Sequence, residues 1–228
     1  MNNPGTVRNS WNTVYLPGSK YKNEPPVQFI DTISSTLKKQ SLLNGKGLYI
    51  GCGNGRNYIP LIEKGLDLIG LDISDVALKQ ISDRVPRLKD SLVHLSFDKY
   101  QTSQRFDYII AIQVFQHGNY DDLKNNFQKV VHLLKPGGLF FLRNRASRTL
   151  TSEKYEIIDK TPHGGYTVKY LSGTKEGLEI HFLSEGEIDE LPKIGLTPIV
   201  TPYIIKTPRT PPEEGEMVHW EGVWRKDG

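Results

Sequence analysis

Between Leu48 and Leu142 the chain keeps one rhythm. Short apolar runs, several ended by glycine or aspartate, alternate with stretches whose apolar residues recur at helical spacing. Leu48-Tyr49-Ile50 stops at a glycine cluster, and a helix is expected from about Asn57 to Lys64, with Pro60 tolerated in its first turn. Leu68 to Leu71 makes a second strand ending at Asp72. Ser74 then caps a helix with Ala77, Leu78 and Ile81 inside. Leu92 to Phe97 reads as a third strand ending at Asp98, and Phe106 to Ile112 as a fourth, apolar enough to be central. Leu123, Phe127, Val130, Val131 and Leu134 share a helix face. Pro136-Gly137-Gly138 stops that helix, and Leu139 to Leu142 begins a fifth strand. Strand and helix alternating at this spacing make a parallel sheet with helices on both faces and right-handed crossovers. Ligands of such doubly wound α/β sheets bind beyond the carboxyl ends of the strands, so the residues just after each strand are the ones to examine.

The flanks read differently. Residues 1–26 look irregular but carry Trp11, Tyr15 and Tyr21, which suits an arm packed on the body and able to serve as a lid. A helix follows from Val27, with Phe29, Ile30, Ile33 and Leu37 on one face. Past Arg143, Tyr166 to Leu171 and Leu178 to Leu183 alternate about Gly173 to Gly177, the pattern of an antiparallel hairpin. Tyr166, Val168, Tyr170, Leu178, Ile180 and Phe182 would form its apolar face. Ser184 can cap a short helix through Leu191. Pro198 to Ile205 and Val218 to Trp224 are expected strands separated by a proline-rich loop from Thr207 to Pro212. The expected organisation is one domain: the arm 1–26, a ligand-binding core 27–143, an inserted substrate-side segment 144–183 and a C-terminal completion of the sheet, 184–228.

Composition excludes several classes. With 228 residues, 37% hydrophobic and 24% charged, the chain has the balance of one globular domain. A net charge of +3, spread among acids, gives no strong nucleic-acid signal. Cys52 is the single cysteine, so no intrachain disulfide forms, and no zinc-like ligand spacing occurs; no metal is expected. Residues 1–22 lack a signal-peptide core, and no run approaches the roughly 20 apolar residues of a membrane span. A cytoplasmic protein with no membrane partner is the default expectation.

The chemistry concentrates on Gly51-Cys52-Gly53-Asn54-Gly55, set between a strand and a helix. Glycines there let the backbone turn tightly and approach a ligand, and the helix behind offers free N–H groups. Asp72, seventeen residues past Gly55, presents two acceptor oxygens suited to the hydroxyls of a ribose, or else caps the next helix. Asp98 either accepts the exocyclic amine of an adenine or is a turn aspartate. The nicotinamide fingerprint needs a third glycine at position 56, where Arg56 stands. A dehydrogenase is therefore the weaker reading, and a GK[ST] phosphate loop is absent.

Gly47 to Ser74, GLYIGCGNGRNYIPLIEKGLDLIGLDIS, resembles the nucleotide-binding stretch of class I S-adenosylmethionine-dependent methyltransferases. The later FDYIIAIQVFQHG and LLKPGGLFFLR resemble the same family's fourth-strand and fifth-strand motifs, in the right order. The likeness covers about residues 27–143. It implies a seven-stranded, mostly parallel sheet of order 3-2-1-4-5-7-6 with the last strand antiparallel. It implies Gly51, Gly53 and Gly55 against the methionine and ribose portions of S-adenosylmethionine and Asp72 on the ribose. Ile73 would lie beside the adenine, Asp98 near its amine, and Gln113 near the methionine end. Tyr49, Cys52 and Asn57 complete the candidate cofactor set. The family usually carries an acid at the position of Tyr49 to hold the cofactor's amino group, a task the Tyr49 hydroxyl can take over.

Such a chain is expected to move a methyl group from S-adenosylmethionine onto an acceptor and to release S-adenosylhomocysteine. Alignment of nucleophile, methyl carbon and sulfur supplies much of the rate, since effective molarities can reach ~10⁵ M or more. An oxygen acceptor usually needs a base, whereas a thiol, amine or carbanion can do without one. His117, just past the fourth strand, is the base candidate, or else shapes its loop. Arg143 and Arg145 follow the fifth strand and either meet an anionic substrate or form a solvated basic turn; Tyr15, Tyr21 and His181 are further candidate substrate contacts. The stretch Gln113-Val114-Phe115-Gln116 lacks the NPPY-type motif of many adenine and glutamine methyltransferases. That favours a small-molecule acceptor over a protein or RNA. A cofactor-binding scaffold without activity and an NAD-dependent oxidoreductase are the remaining alternatives. The acceptor and the oligomeric state are not written in the sequence.

Overall fold

The computed structural model describes residues 4–16, 24–149, 153–208 and 215–228. Tyr21 and residues 209–212 of the proline-rich loop lie outside the described residues. The chain divides into two compact units, residues 3–110 and residues 111–228. Among the described residues no helix is long and apolar enough to cross a membrane.

In residues 3–110 the elements are α1 (Pro4–Val14), α2 (Phe29–Lys39), β1 (Lys46–Ile50), α3 (Tyr58–Glu63), β2 (Asp67–Asp72), α4 (Asp75–Arg84), β3 (Leu92–His94) and most of β4 (Phe106–Ile112). In α2 the residues at helical spacing, Phe29, Ile30, Ile33 and Leu37, are the buried ones. Each contributes roughly 1.5–3 kcal/mol by leaving water. Asp31 in its first turn and Lys38 and Lys39 in its last complement the helix dipole. Ser74 caps α4, its side chain accepting the Ala77 N–H at 3.1 Å. Ala77, Leu78 and Ile81 face inward as the spacing requires. Two expectations are corrected here. The arm is not irregular, since residues 4–14 are helical. The third strand is three residues long and stops at His94, so Asp98 sits in a turn beyond it and not at a strand end.

Residues 111–228 hold the end of β4, α5 (Tyr120–Leu133), β5 (Leu134–Arg145), β6 (Tyr155–Lys160), β7 (Tyr166–Tyr170), β8 (Glu179–Phe182), α6 (Glu185–Ile188), β9 (Leu196–Pro208) and β10 (Glu216–Lys226). Asn119 and Asp122 form a reciprocal capping box at the start of α5. Leu123, Phe127, Val130 and Leu133 are its buried face. Leu133 takes the place expected for Val131, because the helix ends there and Leu134 already belongs to β5. Pro136-Gly137-Gly138 lies inside that strand. Phe115, Phe127, Phe140 and Trp224 pack ring to ring at 6.0–6.1 Å between centroids.

Seven strands form one sheet in the order β3-β2-β1-β4-β5-β10-β9. β1 runs parallel to β2, and β2 to β3. β10 is antiparallel to both β5 and β9. With β9 and β10 as sixth and seventh strands, this is the expected 3-2-1-4-5-7-6 order with an antiparallel last strand. The expected hairpin is the β7–β8 pair of a three-stranded antiparallel sheet, β6-β7-β8. Val168, Tyr170, Ile180 and Phe182 form its buried cluster with Tyr166 packed against them. β6 has all six residues exposed, so it has no apolar alternation by which to be recognised.

Candidate functional site

The glycine loop is anchored from below and from the side. Gly51 and Cys52 both donate their N–H groups to the Leu71 carbonyl, at 2.7 and 3.1 Å. Gly51, Gly53 and Gly55 have φ of 68°, 53° and 86°, the left-handed region that favours glycine. Asp72 ties the loop to the next helix: Oδ2 accepts the Gly53 N–H at 2.7 Å and Oδ1 the Ser74 N–H at 2.8 Å. Asp72 is 8% exposed. Burial pushes its pKa up, against the opposing effect of those backbone donors. The Ile73 N–H is a third backbone donor to Asp72, which leaves part of the carboxylate's acceptor capacity for a further donor.

α1 is fastened beside this carboxylate. Asn12 accepts from the Ser74 hydroxyl at 2.7 Å and donates to Asp75 Oδ1 at 3.0 Å. Arg8 pairs with Asp75 at 2.8 Å. The Arg8 and Asn12 side chains hold the Asp75 carboxyl at about 2. Tyr15, at the end of α1, carries its hydroxyl over Gly53, where a Cβ would stand 2.5 Å from it. The structure thus brings Tyr15, named as a substrate or lid candidate, onto the glycine loop itself. Spacing gives no hint of the Arg8, Asn12 and Asp75 contacts, because they join residues more than sixty positions apart.

Tyr49 is 1% exposed and packs edge-on against Tyr58, with ring centroids 6.0 Å apart. Burial pushes its hydroxyl well above the ordinary tyrosine range, and the hydroxyl is hydrogen-bonded to the Asn57 side chain. Asn57 in turn accepts the Val27 N–H at 3.0 Å. The Tyr49–Asn57 pair is therefore neutral and brings no negative charge to the loop. Cys52 is buried, its thiol pushed up by burial and by Asp72. Ile73 is half-buried, and its carbonyl is hydrogen-bonded to His94 Nε2 at 3.0 Å. Asp98 is exposed.

In residues 111–228 a second set of polar groups is buried at the end of β4 and β5. Gln113 has a left-handed φ of 56°, which a non-glycine residue adopts at a cost of about 1–3 kcal/mol. Its N–H donates to the Arg143 carbonyl at 2.7 Å and its side chain meets His219 Nε2 at 2.9 Å. Arg143 and Arg145 are 6% and 4% exposed, so neither belongs to a solvated turn. Arg143 pairs with Glu221, which also accepts from the Tyr203 hydroxyl at 2.8 Å. Arg145 donates to the Tyr170 hydroxyl at 3.1 Å and lies over the Phe182 ring at 5.5 Å. Burial, then the charges of Arg145 and Lys175, push His117 down to about 3. The ring is thus neutral at ordinary pH and a weak base. His219 and Glu221 are ordinary members of a strand in sequence; only pairing of β10 with β5 sets them opposite Arg145 and Arg143.

His181, a candidate substrate contact, is fully buried with both ring nitrogens engaged, Nδ1 with the Thr167 hydroxyl at 3.0 Å and Nε2 with Glu187 at 3.1 Å. Tyr120 stacks on it at 5.4 Å. It braces β8 against α6, which leaves neither nitrogen for a substrate.

Comparison with known proteins agrees with this arrangement. A family model described as a methyltransferase domain matches residues 48–140. An Arabidopsis thaliana protein described as "probable thiol methyltransferase 2" is 26% identical over 141 residues, 60% of this chain and 60% of that protein. The mitochondrial ubiquinone biosynthesis O-methyltransferase of Homo sapiens is 31% identical over 120 residues, 50% of this chain and 32% of that protein. The chain thus spans less than two thirds of the length of either relative. The crystal structure of Burkholderia thailandensis 1,6-didemethyltoxoflavin-N1-methyltransferase, with bound 1,6-didemethyltoxoflavin and S-adenosylhomocysteine, has a similar fold. Its TM-score is 0.70 at 16% identity, covering 100% of this chain and 92% of that one. The strand order, the glycine loop and the matched stretch agree: residues 48–140 are similar to a methyltransferase domain, and the fold is that of the methyltransferase structure.

Proposed function

We propose that this protein transfers a methyl group from S-adenosylmethionine to a small-molecule acceptor. The observation that carries the reading is Asp72, a buried carboxylate at the end of β2 that orients Gly53 and Ser74 and keeps acceptor capacity beyond its backbone donors. Its oxygens would take the ribose hydroxyls beside the glycine loop, over which the Tyr15 hydroxyl lies. Ile73 and Asp98 are the proposed contacts of the adenine, and Gln113 of the methionine end. When bound, the cofactor supplies an electrophilic methyl group on a sulfonium sulfur.

The acceptor's lone pair would form the new bond to the methyl carbon as the carbon–sulfur bond breaks, its electrons remaining on sulfur. His117, held at about 3, is poorly suited to take a proton from an alcohol. This supports an acceptor that reacts without a protein base, such as a thiolate or an amine. Gln113, held by Arg143 and His219, would orient a polar acceptor, and Tyr15, whose hydroxyl lies over Gly53, would cover the glycine loop. The relatives acting on small molecules support that acceptor class. Arg56 in place of the third glycine and the match to a methyltransferase domain support this reading over a nicotinamide-dependent oxidoreductase.

One observation favours a second reading, a scaffold that binds cofactor without turning it over. Tyr49 and Asn57 offer the cofactor's ammonium a neutral pair where an acid is usual. Calorimetry with S-adenosylhomocysteine and with NAD tests the cofactor, and formation of S-adenosylhomocysteine from S-adenosylmethionine over a panel of thiols and amines tests transfer. Binding of NAD in preference to S-adenosylhomocysteine would sink the first reading; binding without turnover on any acceptor would leave the scaffold.

A further inference from the structure

Three arginines follow one another near the end of β5, and they are treated differently. Arg143 is neutralised by Glu221, and Arg148 is exposed near Glu185 at 3.8 Å. Arg145 is 4% exposed, and its contacts are the neutral Tyr170 hydroxyl on Nη1 and the Phe182 ring beneath it. No carboxylate among the described residues pairs with it, and its Nε is buried without a hydrogen-bond partner. Nε and Nη2 point to the same side of a guanidinium and form the two-pronged donor that matches a carboxylate or phosphate. A buried cation is costly unless an anion meets it. Its charge is felt by its surroundings, since it helps to push the proton off His117.

The walls around this fork are aromatic. Tyr166 stacks on Phe182 with centroids 4.9 Å apart and planes 10° apart. Tyr170 belongs to the same buried cluster. Phe182 is 1% exposed and is covered by both Arg145 and Tyr166, so these rings hold the guanidinium in place and do not supply it with a counter-charge. We propose that Arg145 is the anchoring residue of a subsite for an acceptor bearing a carboxylate or phosphate. The subsite deepens the reading of the chain as a small-molecule methyltransferase, but its binding chemistry can be measured without turnover.

The experiment uses the full chain and three probes: benzoate, phenyl phosphate and the neutral benzamide. Calorimetry and the thermal unfolding midpoint are read for the native protein, Arg145→Met and Arg145→Lys. Benzoate or phenyl phosphate should bind at least tenfold more tightly than benzamide and raise the midpoint; whichever oxyanion binds better identifies the head group. Arg145→Met should lose that preference and the midpoint response. Arg145→Lys, which keeps the charge but not the fork, should keep a weakened preference and decides the matter if the Met variant does not fold. Equal binding of benzoate, phenyl phosphate and benzamide overturns the proposal. So does an anion preference that survives unchanged in Arg145→Met or, where that variant does not fold, in Arg145→Lys, and so does no binding of either oxyanion. S-adenosylhomocysteine titrated into the same samples separates the two readings: its failure to bind with the anion preference intact would remove the methyltransferase assignment and leave the anion site.

Discussion

The Tyr15 hydroxyl lies over Gly53, so close that a Cβ on that glycine would stand 2.5 Å from it. Gly53 also has a φ of 53°, where any other residue is strained. Gly53→Ala should therefore destabilise the protein by about 1–3 kcal/mol, measured by urea denaturation. Part of the cost should vanish in a Tyr15→Phe background, because the clash is with the hydroxyl oxygen. Equal costs in the two backgrounds would show that α1 does not rest on the loop in solution.

Asp72→Ala should weaken S-adenosylhomocysteine binding by roughly 1.5–3 kcal/mol, the worth of hydrogen bonds to a charged group. The native protein should show a related pH effect. Burial raises the Asp72 pKa above 3.8. A raised value favours the protonated folded state, so its contribution to stability is full below 3.8 and lost as pH rises through the folded value. Ribose hydroxyls donate to the ionised form, so affinity should fall on acidification through that same raised value. An affinity that holds unchanged down to pH 4 would contradict the assigned role.

His117 should remain neutral through the physiological range. Its pKa is lowered from 6.5 to about 3 by burial and then by Arg145 and Lys175. Between those two values the unfolded chain binds the proton and the folded one does not, so stability falls as pH drops from about 6.5 towards 3. His117→Gln should flatten that slope in urea midpoints measured across the interval. Ring resonances titrating near 6.5 in the folded protein would refute it.

Glu187→Gln should destabilise residues 111–228 by about 2 kcal/mol at neutral pH. The carboxylate accepts from the Ser184 N–H at 2.9 Å and the Thr161 hydroxyl at 2.7 Å and meets His181 at 3.1 Å. Burial pushes its pKa up, but the His181 contact and the other donors outweigh burial and leave it below 4.5. The stabilisation is therefore present above 4.5 and lost as pH falls through the folded value. Denaturation of the two proteins at pH 7 and at pH 3 measures it; the difference should shrink at pH 3.

The parallel half of the sheet was readable because each element there carries its own signal. Phe29, Ile33 and Leu37 repeat at helical spacing, Ser74 caps a helix, and β4 is an uninterrupted apolar run. β6 escaped because its six residues are all exposed, and its place is decided by pairing with β7. The helix in residues 4–14 escaped for a similar reason: its contacts are with Ser74 and Asp75, far along the chain.

By itself the sequence determined the doubly wound sheet, the glycine loop at the end of β1 and the carboxylate at the end of β2, since local spacing and conformational freedom suffice for all three. The tertiary structure alone decided which charges are neutralised. Register between β5 and β10 sets Glu221 against Arg143 and His219 against Arg145, a consequence of strand pairing that spacing does not encode. It also turned His181 from an apparent substrate contact into a brace and lowered His117 from a candidate base to a weak one. Burial and charge arise only when distant segments come together, and they set the proton affinities on which the chemistry depends.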